Sequence, residues 1–390
     1  MEKWIECKIS DIGTVVGGAT PSTKKPENYE NGDIAWITPK DLSSFSGRYI
    51  QCGERNITEI GLKSCSTQLL PKNTVLFSSR APIGYVAIAE NAVCTNQGFK
   101  SVIPNEDTDP IFLYYLLKYN KDKIESMGSG TTFKEVSGNT MKNIVVSVPQ
   151  DKQVQEKIAS VLDAIDEKIE ENERINNNLE QQAKALYKNW FFDFSTFSSD
   201  GNLPDGWRLG TVGDIIQLHD SKRVPLSGAE RNKMAKVYPY YGAASRMDYV
   251  DSYLFDGIYL LLGEDGTVVD SLGFPILQYV YGQFWVNNHA HIITGKEGFS
   301  VEELYLLFSL TNIKSIVTGA VQQKVSQQNL KKVPAIIPGK EALDAFDEII
   351  QPVFTQIRNL RDENANLAVL RDTLLPKLMS GELDVSDIDL

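Results

Sequence analysis

The sequence predicts an α+β protein in which two β-rich mixed globular domains in tandem are separated by two long helices, which form an antiparallel coiled coil with pseudo-two-fold symmetry. Two observations predict this fold. Residues 130–149 (GTTFKEVSGNTMKNIVVSVP) and 319–338 (GAVQQKVSQQNLKKVPAIIP) share Gly, Val, Ser, Lys and Pro at the same places, so the chain contains an internal repeat. Each copy is followed by a long helical pattern, which predicts the order globule, helix, globule, helix.

The repeat covers much of each globule. Residues 4–12 (WIECKISDI) match residues 207–215 (WRLGTVGDI), and residues 95–104 (TNQGFKSVIP) match residues 286–295 (VNNHAHIITG). Domains of this size can each bury a core of their own. We predict two globular domains at residues 1–150 and 198–340, and two helical segments at residues 151–197 and 341–390.

Short apolar and β-branched runs, bounded by Gly, Pro, Asn and Ser, predict strands in both globules. Examples are residues 73–79, 85–90 and 258–263. One amphipathic helix is predicted in each copy, at residues 109–120 and 300–310, with Ser300 as the N-cap of the second. The globules are therefore expected to mix α and β structure, with β predominating.

The helical segments carry side chains at alternating spacings of three and four, which predicts a narrow seam between two paired helices. A helix of roughly 40 residues is about 60 Å long, more than such a domain is wide, which favours pairing over a helix lying on its own globule. Pro352 is expected to mark the first turns of the second helix or a kink. Asn residues in the seam are expected to set the register. The seam positions are Val154, Ile158, Val161, Ile165, Ile169, Asn172, Asn176, Leu179, Ala183, Leu186 and Trp190, then Phe346, Ile350, Val353, Ile357, Leu360, Asn364, Leu367, Leu374 and Leu378.

The distribution of charge leaves nucleic-acid binding open. The chain of 390 residues has a net charge of −12, but residues 1–150 are neutral and residues 198–340 carry only −1, so the acid is concentrated in the helical segments. A neutral domain can still present a basic face to phosphate. No apolar run reaches the length of about 18 residues that a membrane span needs, and no signal peptide is recognised, which predicts a cytoplasmic protein.

Motifs for catalysis are missing from the sequence. It contains no phosphate-binding GxxxxGK[ST] loop, no GxGxxG and no Asp/Asn-Pro-Pro-aromatic tetrad of an amino-methyltransferase. Residues 166–168 (DEK) are interpreted as a solvated helix face. His289 and His291 lack further ligands for a metal, so surface or contact roles are favoured for them. We predict no catalytic residue, no metal and no cofactor bound by this chain.

A binding module that occurs twice on a rigid spacer suits a duplex, whose backbone has the same pseudo-dyad symmetry. The candidate contacts are polar or basic residues on Gly- and Pro-containing loops, although any one of them taken alone could be a solvated or structural loop residue. Those of the first copy are Thr20, Ser22, Lys25, Lys40, Ser79, Arg80, Tyr85, Asn96, Gln97, Lys100, Thr131, Thr132 and Lys134. Those of the second copy are Lys222, Arg223, Tyr241, Arg246, Asp265, Thr267, Asn288, His289, Gln322, Gln323 and Lys324.

Residue chemistry divides these candidates into two groups. Arg bridges guanine O6 and N7, and Asn or Gln bridges adenine N6 and N7, whereas Lys more often contacts phosphate. The predicted base-recognising residues are Arg80, Asn96, Gln97, Asn288, Gln322 and Gln323. The predicted phosphate contacts are Lys25, Lys100, Lys134, Lys222 and Lys324, together with backbone N–H groups of the Gly-rich loops.

The sequence resembles the specificity (S) subunits of type I restriction–modification enzymes over nearly its whole length. The segments that carry the resemblance are WITPKDLS, LLPKNTVLFSSRAPIGYVAIAE with TNQGFKSVIP, LLLGEDGTVV with WVNNHAHIITG, LEQQAKALYKNWFFDF and LRDTLLPKLMSGELDV. The resemblance implies that each globule is a target-recognition domain for one half of a split double-stranded DNA target. It also implies that the helices set the gap, since about 60 Å of helix corresponds to roughly 18 base pairs. Because the two globules differ outside the shared motifs, two different half-sites are expected.

The resemblance further implies partners. Two methyltransferase (M) subunits, which use S-adenosylmethionine to make N6-methyladenine, are expected to dock on this chain, and a restriction (R) subunit is expected to join for cleavage. The predicted docking residues are assumed to be exposed, although those at the end of the first helix could instead form a cap that packs on the next globule. They are Trp190, Phe191, Phe192, Leu374, Leu375 and Leu378. Two alternatives remain open, a non-catalytic scaffold for protein or glycan and a stand-alone DNA-binding regulator.

Overall fold

The computed structural model describes residues 3–130, 134–194, 196–197, 202–319 and 322–385. The chain divides into two compact units: the first contains residues 1–172 and 362–390, and the second contains residues 173–361. Each unit therefore contains one globule of the repeat and part of both long helices. The predicted α+β fold, with two β-rich globules in tandem and two long helices, is confirmed.

The first globule contains ten strands and six short helices among the described residues. Its strands are β1 (Trp4–Lys8), β2 (Gly13–Gly17), β3 (Ile34–Ile37), β4 (Tyr49–Ile50), β5 (Arg55–Ile57), β6 (Val75–Ser79), β7 (Ile83–Ala89), β8 (Cys94–Thr95), β9 (Lys100–Pro104) and β10 (Val145–Pro149). Its helices are α1 (Ile9–Ile12), α2 (Pro39–Ser43), α3 (Glu59–Lys63), α4 (Pro110–Tyr119), α5 (Lys121–Ser126) and α6 (Gly138–Asn143). The first long helix, α7 (Lys152–Phe191), follows.

The second globule contains eight strands and four short helices among the described residues. Its strands are β11 (Arg208–Thr211), β12 (Ile216–Leu218), β13 (Tyr238–Tyr241), β14 (Arg246–Val250), β15 (Phe255–Gly263), β16 (Leu277–Val286), β17 (Ala290–Gly295) and β18 (Pro334–Ile337). Its helices are α8 (Val212–Ile215), α9 (Gly228–Arg231), α10 (Val301–Leu310) and α11 (Gln327–Lys331). The second long helix is α12 (Lys340–Met379).

The repeat in sequence is also a repeat in topology. The main sheet of the first unit has the strand order β2-β9-β6-β7-β4, and that of the second unit has β12-β17-β15-β16-β13, extended by β14. In each unit the central hairpin has a parallel neighbour in the sheet. This neighbour is β4, which pairs with β7, in the first unit and β13, which pairs with β16, in the second. A separate antiparallel pair joins the start of each globule to its end, β1 with β10 and β11 with β18. The two globules are thus two versions of one scaffold.

The long helices run antiparallel in both units. In the first unit Asn172 Nδ2 on α7 donates to Asn364 Oδ1 on α12 at 2.8 Å. In the second unit the rings of Tyr187 and Phe346 meet edge to face with centroids 5.4 Å apart. Earlier on α7, Asp166 pairs with Arg371 in the first unit and Glu180 pairs with Arg361 in the second. Within each unit, therefore, the α7 numbers rise while the α12 numbers fall, and the two helices run in opposite directions. The predicted Asn172 is fully buried, as the register role requires.

Two expectations about the helices are wrong in part. Pro352 does not mark the first turns of the second helix, because α12 begins at Lys340 and continues through the proline to Met379. The alternative, a kink at Pro352, stays a prediction. Asp166 is not on a solvated face, because only 5% of it is exposed. Its carboxylate accepts a hydrogen bond from Tyr115 Oη at 2.8 Å and pairs with Arg371 NH1 at 2.7 Å. Asp166 therefore joins α4, α7 and α12 in the first unit.

Replacing Asp166 with Ala is expected to destabilise the protein by about 3 kcal/mol, because the partly buried Arg371 guanidinium and the buried Tyr115 hydroxyl lose their acceptor. The second carboxylate on Arg371 is the matched control. Asp372 also pairs with it at 2.8 Å, but its side chain is 65% exposed, so Asp372→Ala is expected to cost about 0.5 kcal/mol or less. Urea unfolding of both variants checks the difference, and equal losses would contradict the role given to Asp166.

Among the described helices, including the two of 40 residues, none combines the length and the hydropathy that a bilayer span requires.

Candidate nucleic-acid interface

A short loop in each unit is closed by a pair of backbone hydrogen bonds. Ser129 and Glu135 exchange N–H···O bonds of 3.0 and 2.9 Å, and Thr318 and Lys324 exchange bonds of 2.9 and 2.8 Å. We call these two pairs the closing pairs. The closing pairs lie at matching positions of the repeat, and Gly319, which follows the second pair's Thr318, has a φ of +86° that favours glycine.

The residue after each closing pair ties the loop to two other segments. In the first unit Val136 N donates to Ser79 O at 3.0 Å, and Ser79 N donates to Gly98 O at 2.7 Å. In the second unit Val325 N donates to Glu264 O at 2.9 Å, and Glu264 N donates to His289 O at 2.8 Å. Three segments that are distant in sequence therefore meet in the same way in both units. We call each meeting point a loop platform.

Each loop platform exposes one amide side chain at the same place. Asn96 Oδ1 accepts the backbone N–H of Gly98, and Asn287 Oδ1 accepts that of His289, both at 2.8 Å. This turn leaves the residue between them exposed, which is Gln97 in the first unit and Asn288 in the second. The two amides are 191 residues apart and occupy equivalent positions. Both are suited to bridging adenine N6 and N7.

Charged groups surround the first loop platform. Arg80 NH1 lies 3.5 Å from Glu135 Oε2, and Lys100 Nζ lies 3.5 Å from Glu135 Oε1. The Thr20 hydroxyl donates to the Gln97 side-chain oxygen. Two cations therefore share one carboxylate, and Arg80 remains about one-third exposed. This arrangement gives the first platform an excess of positive charge.

The second loop platform contains a more buried network. Arg223 NH1 lies 2.5 Å from Glu264 Oε2, and Lys324 Nζ lies 3.6 Å from Glu264 Oε1. Asp220 accepts hydrogen bonds from His291 Nδ1 at 2.6 Å and from Ile292 N at 2.9 Å. Burial alone would raise the pKa of the Asp220 carboxyl, but these hydrogen bonds and the Arg223 charge lower it. Asp220 is therefore a carboxylate whose hydrogen bonds to His291 and Ile292 support the second loop platform.

The structure brings many of the predicted contacts together. At or beside the first platform lie Thr20, Arg80, Asn96, Gln97 and Lys100, and at the second lie Arg223, Asp265, Asn288, His289, Gln323 and Lys324. Lys134 and Gln322 are exposed within the two loops that the closing pairs close. Other predicted residues are exposed elsewhere on their unit: Ser22, Lys25, Lys222, Arg246 and Thr267. Lys40 is also exposed and pairs with Glu54 at 2.7 Å. Thr131 and Thr132 lie outside the described residues.

Four predicted contacts are poorly placed for a ligand. Ser79 is fully buried and donates to Gly98 O, so it supports the platform rather than presenting a side chain. Arg223 is committed to Asp220 and Glu264 and also donates to Ala290 O. Tyr85 and Tyr241 are half-buried against apolar side chains. Their sequence neighbourhood is polar, but their strands turn these side chains toward the core.

The assumed exposure of the docking residues is wrong in part. Phe191 and Leu378 are 3% and 2% exposed and belong to the cores of the second and first units. Trp190, Leu374 and Leu375 are partly buried against the same cores. Phe192 alone among these six residues is exposed, at 37%. The apolar ends of the long helices therefore pack on the globules. For the end of α7, this is the cap on the next globule that was the alternative to an exposed docking surface.

The acidic and buried members of the platforms were missed by sequence reasoning. They are Glu135, Asp220, Glu264 and His291. His291 is fully buried, which contradicts the surface role expected for it. A signal existed in the repeat, because aligning residues 286–295 with 95–104 places His291 opposite the basic Lys100.

Comparisons with known proteins agree with this architecture. A family model described as "Type I restriction modification DNA specificity domain" matches residues 1–181 and 204–367. The type I restriction enzyme MjaIX specificity subunit of Methanocaldococcus jannaschii is 35% identical, over 99% of this chain and 94% of that protein. The type I restriction enzyme EcoprrI specificity subunit of Escherichia coli is 23% identical, over 92% and 90%. The crystal structure of the type I restriction–modification S subunit from M. genitalium has a similar fold, with a TM-score of 0.58 at 18% identity, over 97% and 96% of the two chains.

Proposed function

The chain belongs to the family of DNA specificity subunits of type I restriction–modification enzymes, and on that premise we propose that its two globular domains each recognise one half of a bipartite DNA target. The observation that carries this proposal is the loop platform, which is built twice by matching backbone hydrogen bonds and exposes an amide at the same place in each unit. A scaffold that is repeated with different exposed side chains is suited to recognising two sequences in the same geometry.

The two platforms differ in chemistry, which supports two unlike half-sites. The first presents Gln97 with Arg80 and Lys100 beside it, and the second presents Asn288 with Gln323 close by. Arginine favours guanine, while the amides favour adenine. The lysines at the edges contact phosphate and position each domain without selecting a base. α7 and α12 set the number of unread base pairs between the two halves.

In this proposal the chain supplies recognition and its partners supply chemistry. Two methyltransferase subunits bind S-adenosylmethionine and methylate adenine N6, and a restriction subunit joins them for cleavage. The methyltransferase subunits dock on the helical surface, where apolar side chains face solvent at Val369 (67% exposed) and Leu370 (47% exposed) on α12. Adjacent exposed apolar side chains on a helix favour a protein partner.

Co-purification with a DNA methyltransferase of the N6-adenine class, followed by duplex binding at several salt concentrations, tests the proposed function. We expect a stable complex whose affinity for duplex DNA falls as salt rises, because phosphate contacts release counterions. Duplex binding without any methyltransferase would instead identify a stand-alone regulator. No duplex binding at low salt would identify a scaffold for another ligand.

Replacing Gln97 with Ala is expected to relax preference in the first half of the target only, and Gln323→Ala in the second half only. Each loses about 1–3 kcal/mol of discrimination, because one amide no longer bridges a base edge. Lys134→Ala is the control, since loss of a phosphate contact weakens the binding of all DNA sequences alike. Binding assays with single-base variants of each half distinguish the cases. A uniform loss for Gln97→Ala would make that residue a phosphate contact.

A further inference from the structure

A buried histidine lies beneath the second loop platform and has two acceptors. His291 is fully buried, with Nδ1 2.6 Å from Asp220 Oδ2 and Nε2 2.8 Å from Val325 O. A carbonyl oxygen accepts only, and a carboxylate likewise accepts. A neutral imidazole has one N–H and satisfies one of them, whereas the imidazolium satisfies both. Both contacts are therefore hydrogen bonds only if both ring nitrogens carry a proton.

Charged groups surround the His291 ring. Two carboxylates face it, Asp220 and Glu264, the latter with Oε2 3.6 Å from Nδ1. The cations nearby are already paired with these acids: Arg223 contacts both, and Lys324 lies 3.6 Å from Glu264. Asp220 also accepts hydrogen bonds from Gln327 Nε2 at 2.6 Å and from Ile292 N, so it is held as an acceptor.

The repeat places a basic residue at this position in both units. Lys100 occupies the place in the first unit that His291 occupies in the second, since Lys100 is the first residue of β9 and His291 is the second residue of β17. Its Nζ lies 3.5 Å from Glu135 Oε1 and 3.4 Å from Gln97 O, so it joins the closing pair to the exposed amide. Both units therefore place a basic group behind the loop platform. The first uses a lysine, and the second uses a histidine.

We propose, building on the function proposed above, that His291 is a positioning residue for the second half-site, acting as a buried imidazolium that ties the segment after Lys324 to Asp220. The Val325 carbonyl follows the loop that carries Gln322 and Gln323, and Val325 N is bonded to Glu264 O. Loss of the ring proton removes one of the two hydrogen bonds, so His291 no longer connects Asp220 to Val325, the residue after the loop. His291 contacts no DNA itself, because it is fully buried.

Nitrogen NMR of the full chain labelled with [¹⁵N]histidine tests the protonation state directly. The chain contains three histidines, so three rings are observed. We expect one ring with both nitrogens protonated at neutral pH, and we expect its signals to be absent from His291→Gln while those of His219 and His289 persist. Unchanged chemical shifts of those two rings, relative to wild type, show that the variant folds. A neutral His291 ring with one bare nitrogen would overturn the proposal.

Half-site discrimination in the complex with the methyltransferase tests the positioning role. His291→Gln is expected to lower discrimination among base variants of the second half by about tenfold and to leave the first half unchanged. His291→Lys is expected to restore it, because lysine serves at the equivalent position. His219→Gln, next to the network, is the control and should change neither half.

The outcomes separate the two proposals. Equal loss in both halves, or unchanged discrimination in His291→Gln, would overturn the role of His291 while first-half recognition by the wild type still supports the proposed function. A wild-type complex with no half-site preference would contradict the proposed function, and with it the positioning role, even if the ring proved to be doubly protonated.

Discussion

Insertion of one helical turn, four residues beside Asn176 in α7, is expected to abolish methylation of the original target and to create methylation of a target with the same two halves and a longer gap. α7 is a single helix of 40 residues that contributes to both units, so four added residues lengthen the helix by about 6 Å. That length corresponds to one or two base pairs at about 3.4 Å each. The loop platforms, which are proposed to contact the bases, are not altered.

A library of targets with both half-sites constant and the gap varied, methylated by the reconstituted complex and sequenced, measures this effect. The control is a four-residue insertion after Asn91, which is exposed in a turn between β7 and β8. That insertion should leave the gap unchanged, since exposed loop tips tolerate added residues. A change in half-site preference after the α7 insertion would contradict the spacer role of the helices.

Replacement of Glu303 with Gln is expected to stabilise the protein by about 3–5 kcal/mol above pH 8. Glu303 is fully buried at the third position of α10, where its Oε2 accepts the Ser300 N–H at 2.8 Å. Its Oε1 is buried without a hydrogen-bond partner among the described residues. Burial, with a smaller contribution from the Asp347 charge, raises the pKa of this carboxyl to about 8.

The sign of the pH dependence follows from proton binding. In the unfolded chain the carboxyl ionises near its ordinary pKa of 4.5, whereas the folded protein retains the proton up to about pH 8. Between these values the folded state binds more protons, so the free energy of unfolding falls as pH rises and the full loss is reached above pH 8. Gln retains the acceptor for Ser300 and carries no charge, so the variant should lack this loss.

Denaturant unfolding of wild type and Glu303→Gln at pH 5 and pH 9 checks the prediction, because titrations common to both proteins cancel in the difference. Glu230→Gln is the matched control. Glu230 occupies the same third position in α9 and caps Ser227, but it is exposed and hydrogen bonds from Ser227 lower the pKa of its carboxyl. The free energy of unfolding of Glu230→Gln should not exceed that of wild type at pH 9. A pH-independent difference for Glu303→Gln would contradict the buried-carboxyl account.

The long helices and the tandem globules were predictable because both have strong periodic signals. A spacing of three and four over 40 residues indicates a paired helix, and Ser300 was correctly predicted as the N-cap of α10. The repeat also predicted which loops lie in equivalent places. Backbone hydrogen bonds such as those of Val136 and Val325 then bring these loops together, as the repeated sequences suggested.

The buried charges were not predictable from local sequence. Asp166, Glu303 and His291 lie in segments whose neighbours are polar or amphipathic, and their burial depends on partners far away in the chain. Asp166 is separated from Arg371 by 205 residues, and His291 from Asp220 by 71. No periodicity within a window of ten or twenty residues contains that information. The apolar Phe191 and Leu378 were misplaced for a similar reason, since the surface that covers each belongs to a globule rather than to the helix.

Sequencing of modified bases in DNA methylated by this chain together with its methyltransferase tests the central claim most directly. Two unlike recognition domains on a spacer of constant length predict one bipartite motif, with two different specified halves, N6-methyladenine as the modified base and a single number of unspecified base pairs between the halves. A continuous motif without a gap, two identical halves, or a gap of variable length would contradict the claim.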